Sequence, residues 1–250
     1  MKIFLSLLTL TGIFLAPLQA ATLYSHSFGG LDTVDLHGVT PDISVTDATH
    51  STGGNWAAAT GEPELNADGS VVSVGNQDGT AALVFVPVHG YVYTLTMNAT
   101  VDTDWAAMGF SDEATGATTN MAQNGILWGL TSKGGQSFFA KPTGGTDSAG
   151  GYTDTTGTAK ISVVLDTRDG TSGWDVNWLV DDVVRATLTD ISSAYENKIK
   201  SVAISWNTSS GEDLKFDNLE FTAVIPEPSS LALIGISAVA AMFVCRRRRR

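Results

Sequence analysis

Cysteine is almost absent from this chain of 250 residues, whose single cysteine is Cys245 near the C-terminus. A lone cysteine excludes an internal disulfide, so stability must come from an apolar core or from a bound metal. Basic residues are also scarce, because 14 Lys and Arg stand against 26 Asp and Glu and leave a formal net charge of −12. An acidic chain of this kind excludes nucleic acid as a partner.

The excess of acidic residues is larger between the two termini than in the whole chain. Lys2 and the five arginines at 246–250 lie outside residues 21–225, and so does a single acid, Glu227. The remaining 8 basic and 25 acidic residues give residues 21–225 a net charge of −17. Such a charge suits calcium binding, or solubility in a crowded extracellular matrix.

The N-terminus has the pattern of a secretory signal peptide. Lys2 precedes an apolar run over residues 3–18, and the small residues Ala20 and Ala21 follow. Cleavage is expected after Ala20, and cleavage after Ala21 is the alternative. Residues 1–20 are therefore interpreted as a signal peptide, which implies passage through the secretion translocon.

The C-terminus combines three elements in a fixed order. Pro226, Glu227 and Pro228 come first, an uncharged apolar run over residues 231–245 follows, and the last residues are Arg246, Arg247, Arg248, Arg249 and Arg250. A helix of that length spans about 22 Å, whereas a bilayer core is about 30 Å thick. The membrane helix is therefore predicted over about residues 229–245, with the arginine stems snorkelling and the C-terminus cytoplasmic. Cys245 is interpreted as an apolar filler, with lipidation as the alternative.

This three-part tail resembles the PEP-CTERM sorting signal of Gram-negative bacteria that make extracellular polysaccharide. The resemblance covers residues 225–250, about a tenth of the chain. It implies that exosortase, a membrane-embedded cysteine protease, cuts near Pro226, Glu227 and Pro228. The protein would then lie briefly in the inner membrane before reaching the cell surface or the extracellular matrix. In a host without exosortase the segment would remain a simple anchor.

Between these termini the sequence alternates as β-strands do, with Gly, Asp, Asn, Ser and Thr separating the apolar segments. The strongest hairpin signal is the pair of segments 174–180 and 183–188 around Asp181 and Asp182. A change of phase predicts a bulge at Asp217 and Asn218. Residues 142–158 are predicted to form a long loop, and residues 190–200 a single short helix.

About a dozen such strands predict an all-β fold, an antiparallel jelly-roll sandwich, over residues 21–224. The hairpin over residues 161–188 and the closing strand over residues 214–221 resemble the concanavalin A/laminin-G group. That resemblance implies a fold whose members often bind glycans, often with calcium, and sometimes hydrolyse them.

A catalytic site is not expected. Glycosidases of this group carry closely spaced acids on one strand, as Glu-x-Asp-x-x-Glu or a near variant, and the chain has no such segment. Glu62 and Glu64 have suitable spacing, but Pro63 separates them within a turn-rich stretch. The four histidines show no spacing typical of metal ligands.

Calcium is the metal that the acidic loops favour, because it takes carboxylate and carbonyl oxygens. The candidate ligands flank the strongest hairpin and are Asp166, Asp169, Asp181 and Asp182. A second acidic group surrounds the Trp105 strand and comprises Asp102, Asp104, Asp112 and Glu113. The alternative for both groups is that the acids are solvated residues of turns.

Two of the six tryptophans are candidates for contact with sugar rings. Trp56 follows Gly53, Gly54 and Asn55, which predicts an exposed position in a loop. Trp105 begins a strand directly after Asp104. The other tryptophans singled out alternate in phase with aliphatic residues and are predicted to lie in the core: Trp128, Trp174, Trp178 and Trp206.

These observations predict an exported protein of the cell surface or matrix, with a non-catalytic role as a structural or glycan-binding module and extracellular polysaccharide as a partner. A polysaccharide hydrolase is one alternative, and it needs two carboxylates about 5–9 Å apart in a groove. A protein-binding adhesin is the other alternative, and it needs an exposed apolar patch.

Overall fold

A computed structural model of the protein describes residues 20–28, 36–58, 64–65, 70–72, 77–101, 105–114, 125–131, 136–140, 147–152, 157–169, 173–191, 197–208 and 214–224. These residues contain sixteen β-strands and no helix. The strands are β1 (Ala21–His26), β2 (Ile43–Ser44), β3 (Ala57–Ala58), β4 (Glu64–Leu65), β5 (Val71–Val72), β6 (Gln77–Val84), β7 (Val92–Val101), β8 (Trp105–Ser111), β9 (Gly125–Thr131), β10 (Gln136–Ala140), β11 (Asp147–Tyr152), β12 (Thr158–Asp166), β13 (Trp174–Val180), β14 (Val183–Ile191), β15 (Ser201–Thr208) and β16 (Leu214–Val224).

Two antiparallel sheets form the sandwich. The larger sheet has seven strands in the order β14-β13-β12-β7-β16-β1-β2, and the smaller has five in the order β3-β6-β15-β8-β9. Two separate hairpins, β4-β5 and β10-β11, accompany them. The predicted fold class, an all-β antiparallel sandwich, is confirmed.

The core lies between the sheets and follows the alternation of each strand. In β7 the side chains of Tyr93, Leu95 and Met97 are fully buried, whereas Thr94 and Thr96 face the other way. Alternate residues point to opposite faces of a strand, so this pattern gives β7 one buried face and one polar face. Each fully buried large side chain contributes roughly 1.5–3 kcal/mol. The apolar core therefore stabilises a domain that has no cysteine.

Residues 21–224 contain every described strand and the whole of this core. The first strand, β1, pairs with the last strand, β16, in the seven-stranded sheet. Both ends of the segment are therefore hydrogen-bonded into one sheet, and the described core lies entirely between them.

The predicted hairpin at Asp181 and Asp182 is confirmed. Val180 pairs with Val183, so the two aspartates form a two-residue loop between β13 and β14. Their φ angles are 50° and 63°. Positive φ at both central residues is the signature of a type I′ turn, whose twist matches that of the flanking strands.

The predicted bulge in the last strand is also confirmed. Asp217 pairs with Asn98 of β7, but the next aligned pair is Glu220 with Thr96. Two residues of β16 therefore oppose one residue of β7, and Asn218 adopts φ = 52° at this point. Asn tolerates this conformation better than most residues.

The prediction of a helix at residues 190–200 is wrong where the structure describes that segment. Asp190 and Ile191 end β14, residues 197–198 form a turn, and residues 192–196 lie outside the described part. The four-residue spacing of Ile191, Tyr195 and Ile199 suggested a helix. Four is also a multiple of the strand period, so the same spacing fits two core-facing positions in a sandwich.

The prediction of an unbroken loop at residues 142–158 is also wrong, because β11 occupies Asp147–Tyr152. It pairs with β10, from Gln136 opposite Tyr152 to Ala140 opposite Asp147. Gly, Ser and Thr are weak strand signals by themselves. Here the pairing with a neighbouring strand decides the conformation, as it often does in sheets.

Candidate functional site

The outer face of the seven-stranded sheet is polar and carries two rows of aligned side chains. Both rows cross the adjacent strands β12, β7 and β16. The first row consists of Lys160, Asn98 and Asp217. The second row consists of Thr158, Thr100 and Lys215. Directly opposed residues of neighbouring strands lie close enough to act together on a single ligand.

A cavity of about 390 Å³ is lined by these two rows together with Ala159 and Asp181. We call it the large cavity. Its volume falls within the range of about 300–1,000 Å³ that small-molecule sites occupy. Its lining offers hydroxyl, amide, ammonium and carboxylate groups, so it presents both donors and acceptors of hydrogen bonds.

Some charged groups of the large cavity are already paired within the protein, and others are not. The Nζ of Lys160 lies 2.7 Å from an oxygen of Asp182, and the backbone N–H of Lys160 donates to Asp181. Within the described residues, the side chains of Lys215 and Asp217 take part in no ion pair or hydrogen bond. One cation and one carboxylate therefore remain available to a ligand.

A second cavity, of about 220 Å³, lies on the other side of the β16 bulge, and we call it the small cavity. Its lining residues are Ser25, His26, Ser27, Asp42, Asn218, Leu219 and Glu220. The backbone N–H of Ser27 donates to Asp42 over 2.7 Å. Hydrogen bonds from the side chain and the backbone of Ser27 hold the pKa of Asp42 below its ordinary value, so Asp42 is ionised at neutral pH.

The four predicted calcium ligands divide into two groups at opposite ends of β12. At one end, Arg168 donates to both oxygens of Asp166, and this bond is the main cause that lowers the pKa of Asp166. Asp169 follows in the same loop. Asp181 and Asp182 lie beside Lys160.

Asp166 lies six positions beyond Lys160 along β12, which corresponds to about 20 Å. The four carboxylates therefore do not fit a single calcium site. No group of three or more His, Cys, Asp or Glu side chains suited to a metal ion occurs among the described residues. In the second acidic group, Asp102 and Asp104 lie outside the described residues.

The prediction that Trp56 is exposed is wrong. Its side chain is 1% exposed, and its Nε1–H donates to Nδ1 of His26 over 3.0 Å. Backbone hydrogen bonds to Val39 and from Gly38 fix the chain on both sides of the indole. The glycines before Trp56 indicate a loop correctly, but they carry no information on where the next side chain packs.

Trp105 begins β8 as expected and is half-buried. It packs against a small apolar cluster on the second face of the five-stranded sheet: Ala82, Ala107, Trp128 and Ala203. The cluster is itself buried, so it forms no open platform for a sugar ring. The core positions predicted for Trp174, Trp178 and Trp206 are confirmed, and Trp128 is buried in this second cluster instead.

Several candidate residues lie at or beyond the limits of the described part. Ala20 and Ala21 are exposed, and Ala21 begins β1, but the cleavage site stays a prediction. The motif at Pro226, Glu227 and Pro228 and the terminal arginines lie outside the described residues. The side chain of Glu64 and the whole of Glu62 do so as well.

Of the residues that line the large cavity, only Asp181 was predicted to be a functional residue. It was predicted as a calcium ligand and not as part of a glycan site. The signal for the others was present in the polar half of each strand alternation, at Asn98 and Thr100 in β7 and at Lys160 in β12. That alternation identifies a solvent-facing surface. It does not say which polar positions of distant strands come into register.

Residues 224–250 match the PEP-CTERM protein-sorting motif. The predicted sorting tail is thereby confirmed, and the motif directs the chain to export and to sorting at a membrane. No curated protein matches the sequence. In the described part of the chain, no helix has both the length and the apolar character needed to cross a membrane.

Solved structures similar to this chain include binding domains and an enzyme. The carbohydrate recognition domain of Emp47p has 13% identity and a TM-score of 0.49, with 81% of this chain and 96% of that chain covered. The exoplasmic/lumenal domain of VIP36, in a form with bound Ca²⁺ and mannose, has 9% identity and a TM-score of 0.47, with 84% and 92% covered. An endo-1,3-β-glucanase from Streptomyces sioyaensis has 12% identity and a TM-score of 0.42, with 83% and 97% covered.

Proposed function

We propose that the protein is an exported, non-catalytic polysaccharide-binding component of the cell surface or extracellular matrix, and that the large cavity holds the glycan. The observation that carries this proposal is the two-row polar lining of that cavity. The sorting tail supports it, because it delivers the domain to a location where polysaccharide is the abundant polymer.

The chemistry of the large cavity suits sugar hydroxyl groups. A hydroxyl both donates and accepts, so it is recognised best where both kinds of partner are present. Asn98 supplies an amide oxygen and an amide N–H, Lys215 supplies a donor, and Asp217 supplies an acceptor. Since Lys215 and Asp217 have no partner among the described residues, a glycan displaces only water from them.

The charge of the domain favours an uncharged polysaccharide over a polyanion. Residues 21–225 carry a net charge of −17, and the large cavity combines Lys160 and Lys215 with Asp181 and Asp217. An anionic polymer would meet repulsion over most of the surface and no net positive cavity to offset it.

A hydrolase is the second candidate, and the positions of the two carboxylates of the large cavity favour binding over hydrolysis there. Asp217 lies on β16, whereas Asp181 lies on the far side of β7 and β12. Three strand spacings of about 4.8 Å place their backbones about 14 Å apart. Retaining enzymes hold their two carboxyl groups about 5–5.5 Å apart, and inverting enzymes about 6.5–9.5 Å.

The adhesin alternative lacks a matching apolar patch in the described part of the chain. The exposed large apolar residues there are Ile43, Val45, Val84, Val183 and Val184. Val183 and Val184 lie on β14 at one edge of the seven-stranded sheet, whereas Ile43 lies on β2 at the other. Val183 and Val184 therefore do not share one continuous surface with Ile43.

The test is retention of the purified exported domain, residues 21–224, on the host's own polysaccharide and on dextran, with calcium and with a chelator. Asn98→Ala and Lys215→Ala should each weaken retention about tenfold, the equivalent of one hydrogen bond of about 1.4 kcal/mol. Thr189→Ala, at an exposed position of β14, is the matched control and should retain full binding.

New reducing ends are assayed in the same experiment. Their appearance, and their loss in Asp217→Asn or Glu220→Gln, would replace the binding proposal with the hydrolase. Loss of retention with chelator alone would assign calcium a role that the described carboxylates do not explain. Equal binding by Asn98→Ala, Lys215→Ala and the wild-type domain would place the glycan elsewhere.

Processing by exosortase is part of the same proposal. In a host with the protease, full-length chains carrying Pro226→Ala and Glu227→Ala should accumulate uncut in the inner membrane, while the wild-type domain reaches the surface or the medium. Immunoblots of cell fractions measure this. Release of the double variant at the wild-type rate would show that the motif residues do not direct cleavage.

A further inference from the structure

The two cavities lie on either side of one structural feature, the bulge in β16. Asp217 lines the large cavity, and the next three residues of the same strand, 218–220, line the small cavity. Consecutive Cα atoms are about 3.8 Å apart, so the two linings meet at the bulge with no intervening element.

The lining residues of the two cavities continue across the sheet in strand order. The large cavity uses β12, β7 and β16, and the small cavity uses β16, β1 and the segment that enters β2 at Asp42. Ser25 of β1 lies in register with Glu220 of β16 and with Ile43 of β2. The polar residues therefore extend over five neighbouring strands, at right angles to the strand direction.

From these positions we propose that the large and small cavities form one binding track, which accommodates an internal stretch of an extended, uncharged polysaccharide chain. This inference rests on the proposed glycan-binding function. Four strand spacings of about 4.8 Å give the track a length of about 19 Å. A single sugar residue occupies only a part of that length, so the track selects a polymer over a monosaccharide or a chain end.

The bulge in β16 connects the large-cavity half of the track with the small-cavity half. It removes Asn218 from the regular ladder and gives it φ = 52°, and the Asn218 side chain is exposed. Strained backbone of this kind is kept where the surrounding structure or the function requires it. The exposed amide lies between Asp217 and Glu220, where a chain that crosses from one cavity to the other must pass.

The small cavity supplies acceptors for this chain. The carboxylate of Asp42 is held by Ser27, and Glu220 is exposed beside Ser25. Ionised carboxylates accept hydrogen bonds from sugar hydroxyls and repel anionic substituents. This half of the track therefore adds affinity for hydroxyl-rich chains and discriminates against uronic acids and sulfated sugars.

The test is a length series of oligosaccharides prepared by partial hydrolysis of the neutral polysaccharide that residues 21–224 retain. Affinity measured by calorimetry should rise with chain length until the oligosaccharide spans about 19 Å, and then level off. Glu220→Ala combined with Ser25→Ala should weaken binding of the longest members about tenfold and leave the shortest unchanged. Asn98→Ala in the large cavity should weaken all members.

Asn218→Gly tests whether the bulge residue contacts a glycan chain that passes from one cavity to the other. Glycine tolerates positive φ, so it keeps the bulge while removing the amide, and the urea midpoint should stay at or above that of the wild type. We expect a loss of three-fold or more in affinity for long oligosaccharides only.

The outcomes separate this inference from the proposed function. If affinity levels off with the shortest oligosaccharides, and the Glu220 and Ser25 changes have no effect, the track is overturned while the large cavity remains a glycan site. If the shortest members depend on both cavities, one compact site replaces the track. If the domain retains no neutral polysaccharide, the proposed function and the track fail together.

Discussion

At the scale of single residues, Gly79 makes room for a tryptophan that is buried in the core. It pairs with Trp206 of β15, and a Cβ atom built at position 79 would lie 2.4 Å from two atoms of the buried indole. The ring is fully enclosed and cannot move aside. We expect Gly79→Ala to lower the free energy of unfolding by about 1–3 kcal/mol, measured by urea denaturation of residues 21–224.

The double variant Gly79→Ala/Trp206→Phe provides the control. The smaller ring relieves the clash, so the loss in the double variant should be clearly less than the sum of the two single losses. Strict additivity would show that the alanine acts through the strand backbone and not through the indole.

A carboxylate that is bonded to a buried histidine gives the domain a pH-dependent contribution to stability. His50 is 4% exposed, and its Nδ1 lies 2.6 Å from a carboxylate oxygen of Asp47. The hydrogen bond from His50, with help from Thr49, lowers the pKa of Asp47 in the folded state. A lowered carboxyl pKa stabilises the native state above the unfolded pKa of about 3.9, and this contribution disappears as the pH falls through the native pKa.

Asp47→Asn should therefore lower the melting temperature at neutral pH, and the difference from the wild type should shrink as the solution becomes strongly acidic. Thermal unfolding across a pH series measures it. A difference that stays constant from neutral to acidic pH would assign the effect to packing of the 47–52 turn instead of the ionised carboxylate.

At the scale of elements, the turn between β13 and β14 holds two aspartates in a conformation that favours glycine. Asp182 has φ = 63°, which costs an ordinary L-residue roughly 1–2 kcal/mol, most of all a β-branched one. Its ion pair with Lys160 is exposed and contributes little. We expect the order of stability Asp182→Gly, then Asp182→Ala, then Asp182→Val, with urea midpoints as the measurement.

The same three residues compared at position 84 are the matched control. Val84 is an exposed position of β6 that pairs with Ser201 in regular register, where extended backbone favours β-branched residues and disfavours glycine. The order there should be reversed, with valine the most stable. The same order at both positions would mean that the turn conformation does not determine the effect.

Elements whose signals are local could be predicted from the sequence, and those that depend on distant partners could not. The hairpin at Asp181 and the bulge at Asn218 follow from turn residues and a change of phase within one segment. The strand β11 depends on its pairing with β10, and the burial of Trp56 depends on His26, which lies on another strand. The candidate site belongs to the second kind, because Asn98 and Asp217 meet only through strand register.

At the scale of the whole molecule, the net charge of the domain has two opposite effects. A net charge of −17 over residues 21–225 keeps the exported domain soluble, but it also repels any acidic polymer at long range. The large and small cavities together hold more carboxylates than ammonium groups. Recognition must therefore depend on hydrogen bonds at short range, while the field of the whole domain decides which polymers approach.

This combination predicts how salt affects binding. Retention of residues 21–224 on a neutral polysaccharide should change little with ionic strength, because uncharged hydroxyls gain little from the field. Retention on alginate, a polyuronate, should be weak in low salt and should increase as salt shortens the screening length from about 30 Å at 0.01 M to about 10 Å at 0.1 M. Affinity measurements across that range provide the test.

The opposite result would be tight binding of alginate in low salt that is lost when salt is added. That result would identify Lys215 as the partner of an anionic sugar. The carboxylates of the small cavity would then exclude the glycan instead of binding it.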